Sequence, residues 1–100
     1  MERIYLDSFV YVKLFKEENG SATANQVVSY IETNRRFRIC LSYWVVNETI
    51  AAINQACNRR HEITRKQRDI IIPTIFRRLL EYSKSHVNVV WQVFETFLVN

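Results

Sequence analysis

The chain has 100 residues, with 14 Lys or Arg against 10 Asp or Glu, so its net charge is +4 and its pI is near 9.3. A hydrophobic content of 48% excludes an intrinsically disordered tail, and one Gly with one Pro excludes a turn-rich all-β protein. The length predicts a single domain, residues 1–100.

No apolar run approaches the ~20 residues of a membrane helix, and no signal peptide pattern opens the chain. Cys40 and Cys57 lie far apart and are typical of buried free thiols, so we expect a cytoplasmic protein without a membrane span.

Apolar runs typical of strands alternate with segments of helical periodicity. In the first half of the chain we predict a strand at 4–6, a helix at 9–16, a helix that Ser21 caps and 34–36 end, and a strand at 37–42. A helix follows with its apolar face over 46–57, and 58–61 end it. We then predict a helix from the cap Thr64 to about Ser83, a strand at 87–91 and a helix at 92–100. The resulting order is β-α-α-β-α-α-β-α, which predicts an α/β fold with a parallel sheet.

The fourth helix has two local signals. Thr64 followed three residues later by Gln67 matches a capping box, which predicts the start of the helix. Pro73 lacks a backbone N–H, so we expect a kink there. The predicted apolar stripe of this helix is Ile72, Ile75, Phe76, Leu79 and Leu80.

Two carboxylates stand where a parallel sheet binds ligands. Asp7 directly follows the first predicted strand, at its carboxyl end, where ligands bind in such sheets. A carboxylate there can bind a divalent cation, or it can serve only as the cap of the next helix. Glu48 follows Ser42 by six residues and lies off the apolar face of its helix. It is either a solvated side chain or a second ligand for the same cation.

Basic residues gather at the predicted helix ends. They are Arg35, Arg36, Arg59, Arg60, Arg65 and Lys66. Such a cluster attracts polyanions, including nucleic acid, although basic residues also suit helix ends because of the helix dipole. The sequence contains no zinc-binding motif and no P-loop, and Ser8 and Ser42 have no His in a triad-like arrangement.

Two segments together resemble the PIN domain family. Residues 4–10, Ile-Tyr-Leu-Asp-Ser-Phe-Val, resemble its opening, in which an apolar strand ends in Asp-Ser or Asp-Thr. Residues 39–48 resemble its second motif, a strand, a Ser and a helix bearing Glu six residues on. The resemblance covers the whole chain and implies a three-layer α/β/α fold.

The resemblance implies a metal-dependent ribonuclease of the VapC toxin type. Asp7 and Glu48 would be catalytic and would hold Mg²⁺ or Mn²⁺, with Ser8 and Ser42 in support. RNA, an antitoxin protein and a second copy of the chain are the implied partners. Many relatives have Asn where this chain has Phe9.

The family's third acidic residue would lie beyond residue 100, together with the last strands, so we expect an apparently truncated site that cleaves RNA weakly or not at all. Two other interpretations stay open. One is an inactive PIN-like module that dimerises or binds an antitoxin or RNA. The other is a small basic helical protein that binds nucleic acid without a metal.

Overall fold

The computed structural model describes residues 2–86, in the order β-α-α-β-α-α. The elements are β1 (Glu2–Tyr5), α1 (Ser8–Phe15), α2 (Ser21–Thr33), β2 (Phe37–Cys40), α3 (Tyr43–Asn58) and α4 (Arg65–His86). This order matches the first six predicted elements and confirms an α/β protein. The predicted strand 87–91 and helix 92–100 lie outside the described residues.

The sheet within residues 2–86 consists of β1 and β2, which run parallel as predicted. Their register pairs Glu2 with Phe37 at one end and Tyr5 with Cys40 at the other. Both strands end earlier than the sequence pattern predicted, because the chain leaves the ladder two residues before each following helix. Asp7 and Ser42 therefore follow their strands after a short connection, and the prediction that Asp7 directly follows a strand was wrong.

One apolar core joins the second strand to all four helices. Its fully or almost fully buried members include Tyr11 of α1, Val28 of α2, Ile39 of β2, Ile53 of α3 and Ile75 of α4. β1 contributes Ile4, which is half-buried against this cluster. β2 is thus the better covered of the two strands. Helix α1 packs against both α2 and α3, and α3 packs against α4.

The connection between α1 and α2 turns at Gly20, whose φ of 91° lies in the left-handed region. Gly20 occupies the cap position of α2, so the prediction that Ser21 caps this helix was wrong. Ser21 is the first helical residue instead, and its hydroxyl forms two hydrogen bonds with the backbone of the preceding loop. It accepts a hydrogen bond from the Glu18 N–H at 2.9 Å and donates one to the Lys16 carbonyl at 3.2 Å.

Helix α4 begins with the predicted capping box. The Thr64 N–H donates to Gln67 Oε1 at 2.8 Å, and the Gln67 N–H donates to Thr64 Oγ1 at 3.1 Å. The helix continues past Pro73, so this residue does not end it. Ile75 is fully buried as predicted, but Phe76 is 49% exposed and does not belong to the buried stripe. No helix within residues 2–86 has the length and apolar character needed to cross a membrane.

Candidate functional site

The carboxyl edge of the sheet brings Asp7 and Ser42 to matching positions. The last paired residues are Tyr5 and Cys40, and Asp7 and Ser42 each follow two residues later. Neighbouring strands lie about 5 Å apart, so the two connections leave the sheet side by side. Each residue occupies the cap position of the helix that follows, α1 for Asp7 and α3 for Ser42.

Asp7 occupies a cap position without using its side chain as a cap. Its backbone is extended, with φ −72° and ψ 157°, and its carbonyl accepts the Val10 N–H at 3.0 Å. Its carboxylate makes no capping hydrogen bond and is exposed, and it accepts the Ser8 hydroxyl at 3.1 Å. The capping interpretation is therefore correct for the position and wrong for the side chain. The carboxylate retains acceptor capacity for a ligand.

Ser42 is a side-chain cap. Its Oγ accepts the Val45 N–H at 3.2 Å, which leaves the hydroxyl proton available for a hydrogen bond to another acceptor. Burial raises the pKa of the neighbouring Tyr43 phenol above its ordinary value. Ser42 thus fixes the start of α3 at the sheet edge.

Glu48 lies in the second turn of α3 and is exposed, as its place off the apolar face predicted. The next residue, Thr49, is fully buried, and its hydroxyl donates to the Val45 carbonyl at 2.8 Å. The burial of Thr49 and Ile53 shows which face of α3 packs on the core, and Glu48 lies on the solvent side of the helix. Within residues 2–86 the Glu48 carboxylate forms no ion pair or side-chain hydrogen bond.

The candidate donors are the Asp7 carboxylate and the Ser42 hydroxyl at this edge, and the Glu48 carboxylate six residues beyond Ser42 on α3. These are the ligands that Mg²⁺ and Mn²⁺ prefer, and Mg²⁺ is often held by one or two carboxylates with the remaining positions taken by water. No group of three or more His, Cys, Asp or Glu suited to a metal occurs in the described part of the chain. Asp69 does not join the edge, since it lies on α4 in an ion pair with Arg68 at 3.2 Å. Asp7 and Glu48 thus offer oxygen atoms of the kind that a hydrated cation binds, one at the carboxyl edge and one in the second turn of α3.

The six predicted nucleic-acid-binding residues lie away from this edge. Arg35 and Arg36 precede β2 and so lie at its amino end. Arg59 and Arg60 follow α3, whose 16 residues carry the chain about 24 Å from Ser42. The remaining two, Arg65 and Lys66, open α4 on the same side. Arg36 pairs with Glu2 at 4.0 Å and Arg60 with Glu62 at 2.9 Å, so two of the six already have anionic partners.

A charged cluster that was not predicted from the sequence joins the end of α1 to the loop between α3 and α4. Lys16 is only 7% exposed, and its ammonium contacts Glu18 at 2.7 Å and also pairs with Glu62. Burial alone would lower the pKa of Lys16, but hydrogen bonds to the two carboxylates and their charges outweigh it and raise the pKa. The hydrogen bond from Lys16 lowers the pKa of both Glu18 and Glu62. This cluster stabilises the fold, because its charges neutralise one another.

A surface pocket of about 380 Å³ lies beside this cluster, between the end of α3 and the start of α4. Its lining includes His61, Glu62 and Arg65. The carboxylate of Glu62 is already paired with Lys16 and Arg60. The pocket therefore offers no uncommitted carboxylate, and the carboxyl edge of the sheet is the better candidate for chemistry.

Two large aromatic side chains are exposed in the first turns of α1 and α3, next to the cap residues at the carboxyl edge, and they were not predicted as functional. Phe9 is 72% exposed near the start of α1, and Trp44 is 66% exposed at the equivalent position of α3. The matching sequence offsets of Phe9 from Asp7 and of Trp44 from Ser42 were the signal that could have identified them. Comparison of the chain with models of protein families, with curated proteins and with solved structures finds no match.

Proposed function

We propose that this chain is a PIN-like, metal-dependent endoribonuclease of the VapC type, or a close variant of one, with the three-layer α/β/α order of that family. Asp7 and Glu48 are the metal ligands in this proposal, with Ser8 and Ser42 in support. The observation that supports it best is the parallel register, which aligns Asp7 with Ser42 at the carboxyl edge while the Asp7 side chain takes no part in capping.

The proposed chemistry is phosphodiester hydrolysis. A bound Mg²⁺ or Mn²⁺ would supply an activated water and offset negative charge on the phosphate. Asp7 and Glu48 would hold the cation through oxygen atoms, and the Ser8 hydroxyl would orient the Asp7 carboxylate through the hydrogen bond of 3.1 Å. Helices α1 and α3 both begin at this edge, and the positive N-terminal ends of their dipoles attract a negatively charged phosphate group.

RNA is the proposed substrate, and an antitoxin protein is a proposed partner. The excess of basic residues, at net charge +4, favours a polyanionic substrate. A cytoplasmic location is part of the proposal. It is supported by Cys40 and Cys57, which are buried and unpaired with each other, as predicted.

The test is cleavage of a fluorescently labelled single-stranded RNA by the purified chain in Mg²⁺, in Mn²⁺ and in EDTA. We expect slow cleavage that requires the metal and is lost in Asp7→Asn. Asn is as good a residue as Asp at a helix cap, so this variant should keep the fold. Asp69→Asn is the matched control, since this exposed Asp lies on α4 away from the edge, and it should keep the activity.

Cleavage that persists in EDTA or in Asp7→Asn would contradict the proposal. Rapid cleavage that is lost in Asp7→Asn would support the metal site but contradict the expectation of slow cleavage.

A second candidate function is a PIN-like interaction module without catalysis. The observation that favours it is the exposure of Phe9 and Trp44 beside the site, since large aromatic side chains are enriched at protein interfaces. This candidate predicts that the chain binds a partner with the same affinity in EDTA and in Asp7→Asn. The ribonuclease proposal predicts a loss of metal-dependent cleavage under both conditions.

A further inference from the structure

The two strands direct different residues to their two faces. Successive side chains of a strand alternate between faces, and paired residues of parallel strands share a face. Ile4 and Ile39 are paired and lie on the core side. Arg3 and Arg38 are paired on the opposite face, and Tyr5 follows Arg3 on that same face.

This second face is open over β1. Arg3 is exposed and Tyr5 is 66% exposed, while Arg38 is half-buried. Cys40, the partner of Tyr5, is only 2% exposed. The packing that covers this face therefore extends over the end of β2 and stops before β1, which leaves Arg3 and the Tyr5 ring accessible and Arg38 half-buried beside them. We call the surface formed by Arg3, Tyr5 and Arg38 the ledge.

The charge of this ledge is uncompensated within the described residues. Like charges directly opposite each other on paired strands destabilise a sheet. Arg3 and Arg38 nevertheless face each other, and neither forms an ion pair within residues 2–86. Four of the ten arginines have carboxylate partners in the described part of the chain, namely Arg36, Arg60, Arg68 and Arg78. Arg3 and Arg38 differ from the remaining arginines because they stand opposite each other on paired strands. Two arginines at paired positions without a carboxylate partner suit the oxygens of a phosphate, which a guanidinium group can bind in a bidentate manner.

We propose that Arg3, Arg38 and Tyr5 form a binding ledge for single-stranded RNA, in which the arginines contact phosphates and the Tyr5 ring stacks on a base. Stacking on aromatic rings together with basic contacts to the backbone is how proteins hold single strands without reading their sequence. The identity of the polynucleotide as RNA rests on the proposed function.

The ledge leads to the candidate active site. Asp7 follows Tyr5 by two residues of extended chain, or about 7 Å. A strand of RNA held by Arg3 and Arg38 therefore passes Tyr5 before it reaches Asp7 at the carboxyl edge of the sheet. A second copy of the chain fits this ledge poorly, because a symmetric interface would bring the same arginines together from both copies.

The test is fluorescence anisotropy of a labelled oligouridylate in EDTA, where no metal-dependent cleavage can occur. The variants are R3A/R38A, Tyr5→Ala and Tyr5→Phe. The matched control R68A/R77A removes the same formal charge from α4. Circular dichroism checks that each variant is folded.

We expect R3A/R38A to bind at least tenfold more weakly and to reduce the slope of log affinity against log salt by about 1.4, the value for two lost single-strand phosphate contacts. Tyr5→Ala should bind about tenfold more weakly, and Tyr5→Phe should bind like the unmodified chain because it keeps the ring. The control should stay within about twofold of the unmodified chain.

Equal losses in R3A/R38A and R68A/R77A would overturn the ledge, since they would show attraction by net charge alone. Unchanged binding by Tyr5→Ala, or a change in molar mass on mutation of Arg3 and Arg38, would also overturn it. The ledge and the proposed function fail separately. Binding that depends on the ledge, without metal-dependent cleavage, supports the ledge and contradicts the ribonuclease. Metal-dependent cleavage by the unmodified chain, together with normal RNA binding by the ledge variants, supports the ribonuclease and contradicts the ledge.

Discussion

Lys16 and Asp7 show two uses of charge at the scale of the single residue. Lys16 is almost fully buried, and its ammonium is surrounded by the carboxylates of Glu18 and Glu62. Asp7 is exposed, and its carboxylate accepts one hydroxyl, that of Ser8. A buried charge without partners is costly, so the Lys16 cluster has a structural role. An exposed and uncommitted carboxylate contributes little to stability, and Asp7 is therefore the residue whose replacement should affect chemistry more than folding.

The pKa shifts around Lys16 predict how stability depends on pH. Glu18 and Glu62 have lowered pKa values in the folded chain, so their contribution is present above the ordinary value of 4.5 and is lost as the pH falls through the lowered values. Lys16 has a raised pKa, so its contribution is present below 10.5 and is lost as the pH rises further. Urea unfolding across the pH range should show the cluster's full contribution between these limits and declining stability outside them.

The variant Lys16→Met tests how much the Lys16 cluster contributes to the stability of the fold. We expect a loss of about 1 kcal/mol in the free energy of unfolding at neutral pH, because the charge-assisted hydrogen bonds disappear while both carboxylates regain water. The decline in stability at acid pH should become shallower. Lys66→Met is the control, since Lys66 is exposed at the start of α4, and it should change stability by less than about 0.5 kcal/mol. Equal stability of the two variants would contradict a structural role for Lys16.

At the scale of the element, the N-termini of helices α1, α3 and α4 are capped in different ways. Helix α4 begins with reciprocal side-chain and backbone bonds between Thr64 and Gln67, and α3 begins with the Ser42 hydroxyl. Helix α1 begins at Asp7 without a capping bond from that side chain. Cap residues that bond backbone N–H groups stabilise a helix. Of the two cap residues at the carboxyl edge, Ser42 caps its helix with its side chain and Asp7 does not.

Thr64→Ala tests the capping box of α4. Removal of the hydroxyl leaves the Gln67 N–H without its acceptor, so we expect a loss of about 1 kcal/mol in the free energy of unfolding. Thr64→Ser keeps the oxygen and should stay close to the unmodified chain. Chemical denaturation of both variants measures the difference. A Thr64→Ala chain as stable as Thr64→Ser would show that the capping box contributes nothing.

Local signals were predictable from sequence, and long-range ones were not. The Thr64 box and the exposed position of Glu48 depend on neighbours within a turn of helix, and both predictions were confirmed. The strand ends were wrong because they depend on the register between β1 and β2, which lie 35 positions apart in the sequence. Ser21 was misassigned because the chain turns at Gly20. The freedom of the Asp7 carboxylate depends on a side-chain conformation that the sequence pattern does not specify.

At the scale of the whole molecule, β1 has one free edge within the described residues. The Glu2 N–H donates to the Arg36 carbonyl at 2.7 Å, on the side of β2. Backbone groups of alternate residues point to opposite sides of a strand, so those of Arg3 and Tyr5 point away from β2. Such an edge can pair with a strand from a second chain. A homodimer formed in this way would use the backbone edge of β1 and leave the ledge side chains accessible.

Arg3→Pro and Arg3→Ala separate edge pairing from the role of the side chain. Proline removes the outward N–H, and alanine keeps it. If two copies pair along β1, light scattering should give a dimer for the unmodified chain and for Arg3→Ala, and a monomer for Arg3→Pro. A monomeric mass for the unmodified chain at high concentration would contradict the homodimer.

Binding of Mn²⁺ tests the central claim, a metal site at the carboxyl edge built on Asp7, without relying on RNA or on turnover. Electron paramagnetic resonance of free Mn²⁺ during titration with the protein gives the number of sites and their affinity. We predict one site per chain, weakened at least tenfold in Asp7→Asn, weakened in Glu48→Gln and unchanged in Asp69→Asn. Absence of saturable binding, or binding that Asp7→Asn leaves intact, would contradict the claim.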